Sequence, residues 1–208
     1  LSSDNDLSLE LAEDPLLIIL SGPSGAGKDA VLSRLKANDS RIEGIITMTT
    51  RPRRPQEQDK VDYHFVSDAE FQRLIAEQEF LEWANVYGNW YGVPRRPVRE
   101  ALARGSDTII KVDTQGVATI RKIVPDAVYV FLTTPDMEEL NRRLRERRTE
   151  SPFDLDLRLQ TAADEFAQLS LFDYAIINRT DNIESAVSQL KAIIAAEKCR
   201  VKPRQLTL

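Results

Sequence analysis

Apolar positions along the chain fall into short dense runs and into spaced sets, and the two kinds alternate. The first run, LLIIL at 16–20, is apolar throughout and borders a glycine-rich segment, which predicts a buried strand of a parallel sheet. Ala30, Val31, Leu32 and Leu35 follow at helical spacing and predict a helix. Residues 42–50 read as a second strand leading into an Arg- and Pro-rich loop, and VDYHFV at 61–66 as a third. Ser67 with Glu70 three residues later forms a capping-box pattern ahead of Phe71, Leu74 and Ile75, marking a helix start. EFLEWANV, a turn at Gly88-Asn89, and Trp90-Tyr91 carry the signature of a hairpin. Residues 42–95 therefore read as a small, partly antiparallel insertion. Beyond Pro97 the pattern predicts a helix to about Arg104, a strand DTIIKVD, a helix from Gln115, a strand AVYVFLT and an Arg-rich helix from Met137. A helix over about 155–169, a strand DYAIIN and an amphipathic helix over 183–197 complete it. Strands alternating with helices predict an α/β fold whose parallel sheet is covered on both faces. Residues 1–14 read as a mobile, disordered acidic tail and 199–208 as a basic tail without clear structure.

Composition narrows the chemistry. The 208 residues hold one Cys, Cys199, and one His, His64. An internal disulfide is excluded, a reducing cytosolic setting fits, and a zinc cluster or a Ser/His/Asp triad has little to draw on. The longest apolar stretch falls far below the roughly 20 residues of a membrane span. The start is acidic where a signal peptide would be basic, so the reading is a cytoplasmic protein with no membrane partner. The net charge of -5 is uneven: residues 1–14 hold Asp4, Asp6, Glu10, Glu13 and Asp14 and no base, leaving 28 acids against 28 bases beyond them. Arginines cluster at Arg51, Arg53 and Arg54 and again at Arg142, Arg143, Arg145, Arg147 and Arg148. Local cationic patches on a neutral body predict small anions as ligands, and no nucleic acid.

Three segments carry candidate chemistry. Gly22-Pro23-Ser24-Gly25-Ala26-Gly27-Lys28 lies between a predicted strand and a predicted helix, the context of a phosphate-binding loop. There glycines let backbone N–H groups face phosphate oxygens, the helix N-terminus adds its positive end, and a lysine reaches the terminal phosphates. A plain glycine-rich turn is the alternative. Thr47-Met-Thr-Thr-Arg51-Pro-Arg-Arg54, followed by Tyr63, offers guanidinium forks and a neutral hydroxyl suited to a phosphate monoester, and equally reads as a solvated loop. In the hairpin, strict alternation places Glu82 on the face of Phe80 and Ala84, opposite Leu81 and Trp83. If that face is the inner one, Glu82 is a carboxylate needing a partner; otherwise it is an exposed hairpin acid.

In order, GPSGAGK, TTRPRRPQEQDKVDYHFV, EFLEWANVYGNWYGVPR, VDTQGV and RRLRERRTES resemble the guanylate kinases, P-loop nucleoside monophosphate kinases, over roughly residues 15–198. The resemblance implies a three-layer P-loop kinase. Its core would comprise 15–41, 96–136 and 170–198, its GMP-binding insertion 42–95, and its helical lid about 137–169. The implied reaction is ATP-dependent phosphorylation of GMP, and of dGMP, with Mg2+, by a monomer or homodimer whose partners are these small molecules. ATP would lie on residues 22–29, with Asn178 near the adenine. Arg51, Arg54, Tyr63 and Tyr91 match residues that grip the GMP phosphate. Glu82, Thr47 and Asp113 match residues that read guanine. Lys28, Arg51, Arg143, Arg147 and Arg158 would neutralise the transferring phosphoryl group.

Two departures from the family pattern are linked in this reading. Asp29 stands where Ser or Thr normally places a hydroxyl on magnesium, and Lys111 stands where the first acid of an Asp-x-Asp pair is usual. The pair is expected to face each other, with Asp29 toward the metal and Lys111 offsetting its charge. Val93 replaces a common Thr or Ser. Asp29 also suits ribose 1,5-bisphosphate kinases, and the departures together would suit a non-catalytic binding module. Thr47, Glu82 and Tyr91 argue for a guanine, and the retained glycines and Lys28 for an enzyme.

Overall fold

The computed structural model describes residues 14–86, 88–146 and 152–208, the side chains of 152–159 excepted. Its core is a five-stranded parallel sheet in the order β2-β7-β1-β8-β9, formed by Ile42–Gly44, Asp107–Lys111, Leu17–Ser21, Val128–Thr133 and Tyr174–Ile177. All of β1 is buried because both of its faces are covered. Ile18 and Leu20 pack on Val31, Leu32 and Leu35 of α1 (Lys28–Asn38) and on Val187, Leu190 and Ile194 of α7 (Ile183–Lys198). Leu17 and Ile19 pack on Val98 of α3 (Arg95–Ala103) and on Val117 and Ile120 of α4 (Thr114–Ile123). Helices on both faces of a parallel sheet make the three-layer α/β fold that the alternating pattern predicts.

A second sheet, in the order β4-β3-β6-β5, combines His64–Phe65, Met48–Thr49, Asn89–Pro94 and Phe80–Val86. The hairpin of β5 and β6 is antiparallel, whereas β3 and β4 run parallel. Helix α2 (Asp68–Ala76) begins at the predicted cap, where the Glu70 N–H donates to Ser67 Oγ at 3.2 Å. Phe71 on this helix stacks on Phe80 at 4.5 Å.

Several local expectations are corrected. The strand expected over 42–50 is two strands in two sheets: β2 pairs with β7 and β3 pairs with β6. The segment is long enough for both, and nothing in its pattern says where the chain changes sheets. The strand expected over 61–66 shrinks to His64–Phe65, because the Val61 and Asp62 N–H groups close a turn on the Gln58 carbonyl. The segment 199–208 has no helix or strand, yet it is anchored. Arg204 donates to Glu197 and to the Ala127 carbonyl at 2.9 Å, and Leu206 and Leu208 pack against the core.

Helix α5 (Met137–Glu146) and helix α6 (Pro152–Ala167) meet through Leu140, Leu144 and Ala162. Among the described residues, no helix is long and apolar enough to cross a membrane.

Candidate active site

The carboxyl ends of β1 and β7 open on one cleft of about 380 Å3, walled on its far side by the second sheet. Crevices at that end of a parallel sheet are where α/β folds place ligands, and the volume suits a small molecule. The segment 22–27 leaves β1 and turns into α1, as a phosphate loop must. Gly22 has φ +131°, and a Cβ there would lie 1.9 Å from the Leu132 carbonyl oxygen, so only glycine fits. Gly22, Ser24, Gly25, Gly27, Lys28 and Asp29 line the cleft. Pro23 and Ala26 complete the loop: Pro23 presents its carbonyl to Lys28 Nζ at 3.2 Å, and Ala26 accepts from Asn178 Nδ2 at 2.8 Å. Asn178 is thus a brace on the back of the loop. Arg143 of α5 braces the same region, donating to the Asn178 carbonyl at 2.8 Å and to Glu139 at 2.7 Å.

Opposite the loop, Arg51, Arg54, Tyr63 and Tyr91 come together. Arg51 donates from Nε to the Tyr91 hydroxyl at 3.2 Å and from its outer nitrogen to Glu57 at 2.8 Å. Glu57 also accepts from the Arg54 backbone at 2.8 Å, so one carboxylate fixes both arginines. Burial alone would raise Glu57; the bonds to Arg51 and Arg54 outweigh it and hold its carboxyl below the ordinary range. Tyr63 packs edge-on to Tyr91 with centroids 6.1 Å apart, and burial keeps its phenol neutral.

The base-reading candidates line the adjoining part of the cleft. Thr47 is buried there. Glu82 is only 5% exposed, and among the described residues no hydrogen bond reaches its carboxyl. Burial, and then the charge of Asp113, push it up to about 8. A β-bulge between Phe80 and Glu82 breaks the alternation. Phe80 turns to Phe71, and Glu82 faces the cleft with Ala84, which corrects the expectation that Phe80 and Glu82 share a face. Asp113 caps α4, accepting from the Gly116 N–H at 2.7 Å, and burial raises its carboxyl as well. A Cβ on Gly116 would lie 3.0 Å from the Glu82 carboxyl, so this glycine lets the acid settle against the helix.

Asp29 and Lys111 form an ion pair, the mutual approach expected from the sequence. Arg147 lies outside the described residues, and Arg158 is placed only as a position on α6. Two acids that line the cleft escaped the sequence reading: Glu57, and Glu165 of α6, which is 7% exposed and pushed up to about 7 by burial. The signal for Glu165 was an acid one turn beyond Ala162, on the face that packs inward.

Comparison with known proteins matches residues 15–197 to the guanylate kinase family. The guanylate kinase of Symbiobacterium thermophilum is 46% identical over 185 residues, covering 89% of this chain and 87% of that one. The guanylate kinase of Carboxydothermus hydrogenoformans is 42% identical over 187 residues, covering 90% and 91%. Among solved structures, the guanylate kinase of Anaplasma phagocytophilum superposes with a TM-score of 0.74 at 30% identity, covering 92% of this chain and 90% of that one.

Proposed function

The chain belongs to the guanylate kinase family and phosphorylates GMP with ATP, and we propose that the two nucleotides meet in the cleft between the phosphate loop and the second sheet. The observation that carries this placement is Glu82, a buried carboxyl in the same cavity as Lys28 with no described hydrogen-bond partner. Guanine offers N1–H and a 2-amino group to such a carboxylate, whereas adenine has no N1–H and would leave it unsatisfied. Thr47 and Asp113 complete the reading of the base. Arg51, Arg54, Tyr63 and Tyr91 hold the acceptor phosphate, with Glu57 fixing the arginines beforehand. dGMP falls within the same reading, since every proposed contact is to the base or the phosphate.

ATP would place its phosphates on residues 22–29, where backbone N–H groups and the N-terminus of α1 face the anion. Lys28 would move from the Pro23 carbonyl to the terminal phosphates. Mg2+ held by Asp29 would supply positive charge to the phosphates as charge develops on them. Asp29 lines the cleft one residue beyond Lys28, and a single carboxylate suits an ion that keeps several waters and phosphate oxygens, so the residues fit. The terminal phosphoryl then passes from the β-phosphate oxygen of ATP, which leaves as ADP, to an oxygen of the GMP phosphate, giving GDP, with charge on its equatorial oxygens met by Lys28 and Arg51. Arg143, Arg147 and Arg158 would add charge from the lid side. For Arg143 this requires leaving the Asn178 carbonyl.

ADP release measured with GMP, AMP and ribose 1,5-bisphosphate as acceptors, with Mg2+, tests the proposal. Turnover on GMP and not on the others is expected. Turnover on ribose 1,5-bisphosphate without GMP turnover would overturn the guanine-reading site.

A further inference from the structure

Lys111 is the last residue of β7, in register beside Leu20 of β1, so the sheet sets it directly next to the start of the phosphate loop. It lines the cleft, and its side chain is 17% exposed. On one side it pairs with Asp29, in the first turn of α1. On the other, its ammonium lies 5.7 Å from the centroid of the Tyr63 ring. The Arg51 guanidinium carbon lies 5.6 Å from the centroid of that same ring, so two cations flank one tyrosine. An ammonium has three donors, and Asp29 accepts from one.

We infer that Lys111 is a substrate-contacting residue, donating to the phosphate of the acceptor nucleotide from the side facing the phosphate loop. This rests on the proposed placement of GMP beside Arg51, Tyr63 and Tyr91. Asp29 brings negative charge to the one helix start that must receive phosphates, and an anion there is repelled unless a cation lies beside it. Lys111 supplies that cation, lining the same cleft as Lys28 of the phosphate loop and as Arg51, Tyr63 and Tyr91. Asp29 is then a positioning residue, holding the lysine between them through a carboxylate whose side chain is 69% exposed.

Binding of GMP and of guanosine, measured by calorimetry without ATP on the full chain, separates phosphate contact from base reading. Loss of one charged hydrogen bond predicts that Lys111→Met weakens GMP about ten- to a hundred-fold and leaves guanosine unchanged, while Lys111→Arg retains most of the GMP affinity. Circular dichroism melts establish that each variant is folded; should Lys111→Met fail to fold, Lys111→Gln takes its place. Equal GMP affinity in the folded Lys111 variant and the unaltered protein would overturn the inference. Failure of the unaltered protein to bind GMP would instead overturn the placement on which it rests.

Discussion

Glu82 concentrates the electrostatics of the site in one residue. Its carboxyl is pushed up from 4.5 to about 8 by burial and by Asp113, so the folded chain keeps a proton there that the unfolded chain loses. Below about pH 4.5 both states hold that proton. Between there and about pH 8 only the folded state does, so stability falls as pH rises through that window. Each group of this kind contributes on the order of 1 kcal/mol per pH unit, and Glu165 adds to the slope up to about pH 7. Urea denaturation at pH 5.5 and pH 8 should show the protein losing stability and Glu82→Gln losing distinctly less. In catalysis, Glu82→Gln should raise the KM for GMP about ten- to a hundred-fold with the KM for ATP unchanged, the cost of losing a charged hydrogen bond. Steady-state kinetics with each substrate varied in turn checks this.

At the scale of elements, α4 and the β5–β6 hairpin together make the proposed base pocket, and Gly116 of α4 lies against the Glu82 carboxyl of β5. Gly116→Ala should favour α4 by about 1 kcal/mol in helix propensity while pressing the new methyl on Glu82. Melting temperature should therefore change little while the KM for GMP rises several-fold, a split that thermal melts and kinetics together resolve. The core strand β1, the glycine loop and the hairpin were legible in the sequence because a dense apolar run, a loop motif and a turn dipeptide each have one local solution. The sheet change within 42–50 and the bulge at Phe80 were not, since both depend on which partner strand lies alongside. Glu57 was likewise invisible: an acid in a charged loop carries no mark of the two arginines it fixes. The approach of Asp29 to Lys111 was legible because two departures of opposite charge flank adjacent strands.

For the whole molecule, the segment after α7 straps the N-terminal ends of the core strands, remote from the cleft. Arg204 joins Glu197 of α7, the Ala127 carbonyl before β8 and Asp173 before β9. Arg204→Ala leaves the buried Glu197 short of its main cation and should cost about 2–3 kcal/mol in denaturant unfolding, with both KM values unchanged. The central claim, that a buried and protonated Glu82 becomes the carboxylate that reads guanine, is tested by counting protons on GMP binding. Calorimetry at pH 7 in buffers of different ionisation enthalpy gives that count, and Glu82→Gln cancels any proton exchanged by the GMP phosphate. The account predicts that the protein releases close to one proton more than the variant, since a group titrating at about 8 must ionise to accept from N1–H. Equal proton release by the two proteins would contradict it.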